Sequence, residues 1–246
     1  MSTAKSSKKQ KPAPTRANPR LLLTHGEKGG VGKTTVARLV ADYLEQREVS
    51  FRAFDAEGAT GQLLRFHPEN TMAVEVDNAS SIAPVLDFLM DGEADRVALV
   101  DLGARSGEDL KNWLYKAGAL EEAEEGNLDV TVLYVLGGAL DSVGHLKECF
   151  GALGSAVQYV IVKNLGVAPR FDVYEDSNTR QDLLAAGALE ITIPALDGTV
   201  YQSVDKASQS FTAFCDSEAG YTERRYCRTW LRECFAALEE ASAALA

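Results

Sequence analysis

The hydrophobic positions of this chain fall into short, continuous apolar runs that alternate with longer amphipathic stretches. Apolar runs of this length are typical of buried strands, and the amphipathic stretches are long enough for helices. The predicted strands cover residues 21–23, 51–54, 97–100, 130–135, 159–162 and 191–193. The predicted helices cover residues 33–45, 82–90, 108–116, 143–153, 180–186, 200–211 and 223–244.

The alternation of strands and helices predicts an α/β fold, in which a mostly parallel, twisted sheet carries helices on both faces. A chain of 246 residues without internal repeats suits one such domain, which we place at residues 20–246. Residues 1–19 are polar, contain proline and have few large apolar side chains. We therefore expect them to form a flexible arm.

Charge is distributed unevenly along the chain. The net charge is −11, yet residues 1–20 contain six cations and no acid, so the remaining residues carry −17. This balance excludes a protein that coats nucleic acid through a generally basic surface, and it restricts polyanion binding to local patches. No apolar run reaches the ~20 residues of a membrane-spanning helix. The four cysteines form no Cys-x-x-Cys pair, so we expect reduced thiols and a cytoplasmic protein.

A glycine-rich segment, residues 26–35, lies between the first predicted strand and the first predicted helix. Glycines allow backbone N–H groups to turn toward phosphate oxygens, and the helix directs its positive end at the same charge. A lysine in this setting reaches the β- and γ-phosphates, and the next hydroxyl ligates Mg²⁺. The predicted nucleotide-binding residues here are Gly29, Gly30, Val31, Gly32, Lys33, Thr34 and Thr35, with Lys33 also catalytic and Thr34 also a metal ligand.

The segment departs from the common pattern G-x-x-x-x-G-K-[ST], because Glu27 stands at the position of the first glycine. It matches Lys-Gly-Gly-x-Gly-Lys-Thr, which adds a second lysine, Lys28. With this motif, residues 20–246 resemble the ParA/MinD family of P-loop ATPases. The resemblance implies a homodimer that encloses two ATP molecules, and slow hydrolysis that a partner protein stimulates. It also implies a catalytic role for Lys28, which would reach the phosphates bound by the other subunit.

Residues 54–60 are similar to the first switch of that family. The resemblance implies that Asp55 orients the attacking water and approaches Mg²⁺ through water. Two positions depart from the family pattern: Ala53 replaces its first aspartate, and Glu57 replaces its glutamine. The alternative for Asp55 is a structural role, as the cap of the loop that follows the strand.

Three further polar or turn residues follow predicted strands. Asp101 ends an apolar strand, as a Walker B acid does, and we expect it beside Thr34 holding the hydration shell of Mg²⁺. The resemblance implies that Asn164 reads the edge of adenine and that Pro194 lies against the base. ATP and Mg²⁺ are therefore the expected cofactors. An asparagine in a strand-to-loop turn is the structural alternative for Asn164.

The last predicted helix indicates the surface on which such an ATPase acts. At 100° per residue its apolar side chains share one face, beside a stripe of arginines. This stripe resembles in placement the basic surface that ParA proteins use for non-specific DNA, although arginines beside a packed face also pair with acids. The candidate DNA-binding residues are Arg224, Arg225, Arg228 and Arg232.

The sequence thus predicts a positioning or partitioning switch for plasmid DNA, a DNA-transfer complex or another macromolecular cargo, associated with the nucleoid. Residues 162–166 and 190–194 loosely resemble the plasmid-borne ParA-like proteins of conjugal transfer and plasmid stability. The alternative is a MinD-like switch on a membrane. Residues 237–246 are small and acidic, which suits an anionic bilayer poorly, so a membrane is the less favoured surface.

Overall fold

The computed structural model describes residues 18–26, 29–74, 82–91, 96–103 and 107–246. Lys28 and the predicted arm up to residue 17 lie outside the described residues. The last two residues predicted for the arm contact the domain: the Asn18 amide donates to the Gly126 carbonyl at 2.9 Å, and the Pro19 carbonyl accepts from the Asp129 N–H at 3.0 Å. Within the described ranges, no helix has the length and apolar character needed to cross a membrane.

The described residues form one sheet in which every strand pairs parallel to its neighbour. The strand order is β3-β2-β4-β1-β5-β6-β7. Because the order reverses beside β1, the carboxyl ends of β1, β4 and β5 open a crevice, where ligands of such sheets bind. The strands are β1 (Arg20–His25), β2 (Phe51–Asp55), β3 (Thr71–Ala73), β4 (Val97–Asp101), β5 (Asp129–Leu136), β6 (Gln158–Asn164) and β7 (Leu189–Ile193).

Helices cover both faces of the sheet, as the alternation of elements predicts. On β1, Leu21 and Leu23 pack in the core of one face and Leu22 packs in the core of the other, which explains the unbroken apolar run. The helices are α1 (Lys33–Gln46), α2 (Gln62–Phe66), α3 (Ala83–Met90), α4 (Gly107–Lys116), α5 (Ala119–Glu124), α6 (Leu140–Leu153), α7 (Asp172–Glu175), α8 (Asn178–Ala185), α9 (Gly198–Ala207), α10 (Phe211–Asp216), α11 (Tyr221–Glu240) and α12 (Ser242–Leu245).

The structure corrects the predicted helix over residues 200–211, which is two helices. α9 ends before Ser208, whose φ of 50° is left-handed and cannot continue a helix. The hydroxyl of Ser210 then accepts the Ala213 N–H at 3.1 Å and caps α10. The last predicted helix is likewise divided, because α11 ends at Glu240 and α12 follows. β3 was not predicted from the sequence. It is only three residues long and only Thr71 is buried, so it has no buried apolar run.

Candidate nucleotide-binding site

The glycine-rich loop ends at α1 in a conformation that glycine alone adopts easily. Gly30 has φ of 80° and Gly32 has φ of 93°, both left-handed. Gly32 is the N-cap of α1, and in the described part of the chain no side chain caps this helix. The first-turn N–H groups of α1 are therefore available to an anion in the crevice.

A cleft of about 640 Å³ opens beside this loop, a volume in the usual range for small-molecule sites. The loop and the first turn of α1 form one side of it. The rest of the lining comes from the segments after β6 and β7 and from two helices late in the chain, α9 and α11. The cleft is lined by Gly29, Gly30, Gly32, Lys33, Thr34, Thr35, Glu57, Asn164, Gly166, Val167, Pro194, Leu196, Gly198, Tyr201, Gln202 and Trp230.

Lys33 and Thr34 line the cleft and Asp101 lies beside them, and we refer to these three residues as the floor of the site. Asp101 is only 3% exposed, and its carboxylate accepts hydrogen bonds from the Thr24 hydroxyl, at 2.7 Å, and from Thr34. Burial and, to a smaller extent, the nearby acids Asp55 and Glu57 raise the pKa of Asp101 to about 6. Burial lowers the pKa of Lys33, against the opposing effect of Asp101 and Glu57. The floor thus places one cation among several carboxylates.

Asp55 lies in the same acidic group, but its carboxylate is engaged with the backbone. One oxygen accepts the Glu57 N–H at 3.0 Å, and the other accepts the Leu64 N–H in the first turn of α2 at 3.0 Å. The side chain is fully buried, and a Cβ at Gly61 would come within 2.2 Å of its atoms. In this conformation Asp55 caps the segment that follows β2, which is the structural role that the sequence analysis gave as the alternative.

Asn164 holds the phosphate loop from the side of β6. Its amide nitrogen donates to the Val31 carbonyl at 3.3 Å, and its amide oxygen accepts the Gly166 N–H at 3.0 Å. A Cβ at Gly32 would lie 2.3 Å from the same nitrogen, so a glycine is required at this contact. The side chain predicted to read adenine is therefore also a support of the loop.

Two cleft residues on late helices were missed by sequence reasoning. The Tyr201 hydroxyl lies 3.1 Å from the Thr35 hydroxyl, and the Trp230 indole N–H donates to the Pro194 carbonyl at 2.7 Å. Both belong to amphipathic helices, in which an aromatic residue on the buried face is ordinary core. No signal in the sequence distinguishes them from such core residues.

His25 ends β1 directly below the loop and was likewise not predicted as part of the site. It is fully buried, and neither ring nitrogen has a hydrogen-bond partner among the described residues. Its ring packs edge-on against Tyr134 with 5.5 Å between the ring centroids. Burial, together with the charge of Lys33, lowers the pKa of His25 to about 4, so the imidazole is neutral at pH 7.

The four arginines predicted to contact DNA divide into two groups on α11. Arg224 donates to the Ala219 carbonyl at 3.0 Å, and Arg228 donates to the Cys215 carbonyl and to Asp216, each at 2.7 Å. Arg225 and Arg232 are exposed. Two tyrosines on the same helix are also exposed, Tyr221 at 72% and Tyr226 at 61%. The exposed side of α11 thus carries arginines and tyrosines, together with acids toward its carboxyl end.

The chain is similar to known proteins in sequence and in fold, although no protein-family model matches it. Protein MobD of Acidithiobacillus ferrooxidans is 24% identical over 187 residues, which cover 75% of this chain and 81% of MobD. The MinD cell division protein of Aquifex aeolicus superposes with a TM-score of 0.51 at 15% identity, covering 87% of this chain and 97% of MinD. A chain of the MinC:MinD complex of that organism gives 0.50 at 15% identity, covering 87% and 96%. The likeness to MinD confirms the predicted P-loop NTPase fold and, at the level of the fold, the resemblance to the ParA/MinD family.

Proposed function

We propose that this protein is a Mg²⁺-dependent ATPase that works as a nucleotide-controlled switch. The observation that carries the proposal is the convergence of Lys33, Thr34 and Asp101 beside a cleft bounded by the glycine-rich loop. Lys33 and the first-turn N–H groups of α1 neutralise phosphate oxygens. Charge neutralisation of this kind stabilises both a bound triphosphate and the transition state of its hydrolysis.

The residues at the floor of the site fit a magnesium ion. Mg²⁺ prefers oxygen ligands, keeps several waters and is bound through one or two carboxylates plus phosphate oxygens. The buried Asp101 carboxylate lies near the acids Asp55 and Glu57, so a divalent cation would offset the negative charge that these groups bring together. Thr34 and Asp101 would hold the ion and its waters. When bound, Mg²⁺ supplies the charge that neutralises the β- and γ-phosphates.

ATP, rather than another nucleotide, is proposed from the resemblance, in which Asn164 and Pro194 contact adenine. Both residues line the cleft. The same resemblance supports an ATP-dependent homodimer in which Lys28 acts across the interface. It also supports a partner protein that stimulates slow hydrolysis, and MinD itself has been solved in a complex with MinC. ATP would favour the dimer, and hydrolysis would remove that preference.

We propose non-specific DNA as the surface on which the dimer acts, with plasmid DNA or a DNA-transfer complex among the cargoes. Arg225 and Arg232 on the exposed side of α11 support this surface. The MinD-like alternative, a membrane surface reached through the last residues, is less well supported. Ala244 and Leu245 of α12 are buried, and the Ala244 carbonyl accepts the Thr131 hydroxyl at 2.8 Å.

Nucleotide titration calorimetry on the wild type and two lysine variants tests the site. We expect Mg²⁺-dependent ATP binding by the wild type, its loss in Lys33→Ala, and no change in Lys206→Ala. Lys206 is an exposed lysine in the last turn of α9, so it controls for the loss of one positive charge. Full ATP affinity in Lys33→Ala would overturn the phosphate-loop assignment.

Light scattering with and without ATP tests the switch. We expect ATP to double the mass of the wild type and not that of Lys28→Ala, while both proteins bind ATP. Titration with duplex DNA and with anionic vesicles then identifies the surface. A wild type that remains monomeric with ATP would refute the dimer, and retention on vesicles but not on DNA at low salt would favour the membrane alternative.

A further inference from the structure

Part of the cleft lining is apolar and is held in place by one indole ring. Pro194, Leu196 and Trp230 belong to this part of the lining. The indole N–H of Trp230 donates to the Pro194 carbonyl at 2.7 Å. The indole also packs edge-on against Phe211, with 4.8 Å between the ring centroids. Trp230 is therefore held at its polar edge and at its ring.

The segment held by Trp230 is short and is anchored at both ends. Pro194 directly follows β7, whose backbone pairs with β6. Three residues later the Asp197 carboxylate caps α9, accepting the N–H groups of Thr199 at 2.9 Å and Val200 at 3.2 Å. Between these anchors, residues 194–196 form a wall of the cleft, and the hydrogen bond from Trp230 holds that wall at its β7 end. The position of the wall thus depends on α11.

Asn164 is poorly placed to be the main determinant of base recognition. Its amide nitrogen and oxygen both already have backbone partners, on Val31 and Gly166. A buried amide that supports the phosphate loop contributes to the binding of every nucleotide, whichever base it carries. Discrimination between bases therefore depends more on the shape and the backbone groups of the wall formed by residues 194–196.

We propose that Trp230 is a positioning residue for the nucleobase, which sets the position of the 194–196 wall through its bond to the Pro194 carbonyl. The ligand is the purine base of a nucleoside triphosphate, packed between this wall and the Gly166–Val167 side of the cleft. The inference rests on the proposed function, because it presupposes that the triphosphate lies on the loop. It adds a residue, distant in sequence from every nucleotide motif, that governs the choice of base.

The test compares Trp230→Phe with the wild type for three ligands in the presence of Mg²⁺: ATP, GTP and inorganic tripolyphosphate. The variant keeps an aromatic ring against Phe211 but loses the N–H donor. We expect ATP affinity to fall about fivefold, the usual effect of losing one hydrogen bond. We expect the ratio of ATP to GTP affinity to move toward one and tripolyphosphate affinity to stay unchanged. Retained tripolyphosphate binding also demonstrates that the variant is folded.

A control and a second readout come from the other tryptophan. The chain has two tryptophans, and Trp113 lies on α4, in the core of the opposite face of the sheet. Trp113→Phe should leave all three affinities unchanged and make Trp230 the sole indole fluorophore. In that variant, we expect ATP to shift the emission of Trp230 and tripolyphosphate to leave it unchanged.

The outcomes separate this inference from the proposed function. Equal loss of ATP and tripolyphosphate binding in Trp230→Phe, or an unchanged ratio of ATP to GTP affinity, overturns the positioning role alone. The same holds if the wild type binds tripolyphosphate as tightly as ATP, because no base subsite then contributes. A wild type that binds neither ATP nor tripolyphosphate overturns the proposed function and, with it, the inference.

Discussion

The carboxylate of Asp55 and the backbone N–H of Leu64 are joined by a hydrogen bond of 3.0 Å, in which Leu64 donates from the first turn of α2. The other carboxylate oxygen accepts from the Glu57 N–H. One side chain therefore ends β2, caps α2 and lies in the acidic group around Asp101. The residue proposed to orient the attacking water is also a structural support of the segment that follows it.

Replacement of Asp55 by alanine should destabilise the nucleotide-free protein. The change removes the acceptors of two partly buried backbone N–H groups, and loss of a helix cap typically costs ~0.5–2 kcal/mol. We expect a decrease of about 1–3 kcal/mol in the free energy of unfolding, measured by urea denaturation without nucleotide. Asp55→Asn keeps one acceptor oxygen and should be affected less. A variant as stable as the wild type would show that the cap contributes nothing and that the side chain serves the cleft alone.

Gly61→Ala should disturb the same contact from the opposite side. The backbone angles of Gly61, φ −62° and ψ 143°, are suitable for alanine, so any effect comes from the new Cβ. That atom would lie 2.1 Å from the Asp55 carboxylate, which forces either the carboxylate or α2 to move. We expect destabilisation by about 1–3 kcal/mol, the usual cost of inserting a methyl group into a packed site, measured by urea denaturation.

Gly144→Ala is the matched control for this substitution. Gly144 lies in α6, and a Cβ there meets no atom within 4 Å. Alanine has the higher helix propensity, so this variant should be as stable as the wild type or up to ~1 kcal/mol more stable. If both glycine variants lose stability equally, the Asp55 contact is not the cause.

The parts of the site that were predictable from sequence are those determined by neighbouring residues. The phosphate loop depends on a local glycine pattern, and Asp101 is the polar end of an unbroken apolar strand. The contacts of Trp230 and Tyr201 depend instead on how α9 and α11 pack, across 36 and 166 residues of chain. The break at Ser208 was missed because the apolar spacing on either side continues a helical pattern. Local periodicity does not encode these tertiary contacts.

His25 should make the stability of the protein fall in mild acid. Its pKa is about 4 in the folded protein, whereas an unfolded histidine titrates near 6.5. Between these values the unfolded chain binds the extra proton, so stability is lost as the pH falls from about 6.5 toward 4 and is unaffected by His25 above that range. We expect His25→Leu to be more stable than the wild type by a margin that grows toward ~3 kcal/mol at pH 4.

The measurement is urea denaturation of both proteins at several pH values between 4 and 8. The difference in free energy between the two proteins is the informative quantity, because it cancels the other titrating groups. Leucine suits the site, since Leu21 and Leu23 lie on the same face of β1. A difference that stays constant across this pH range would show that His25 does not titrate on unfolding as proposed.

The exposed arginines of α11 should carry most of the proposed DNA binding. Arg224 and Arg228 already donate to acceptors within the chain, whereas Arg225 and Arg232 are exposed. We expect Arg225→Glu with Arg232→Glu to lose most of the ATP-dependent affinity for duplex DNA at an ionic strength of about 0.1 M, measured by fluorescence anisotropy. Because phosphate contacts release counterions, each lost contact should also lower the salt dependence of the remaining binding.

The matched control for the arginine variant is Lys116→Glu with Lys147→Glu. Both lysines are exposed, on α4 and α6, and the pair changes the net charge by the same amount. If DNA binds a local patch on α11, this control should retain most of its affinity, since charges beyond the Debye length of about 8–10 Å are largely screened. Equal losses in the two variants would mean that net charge, rather than the α11 surface, controls retention. Unchanged binding in the arginine variant would exclude α11 as the DNA surface.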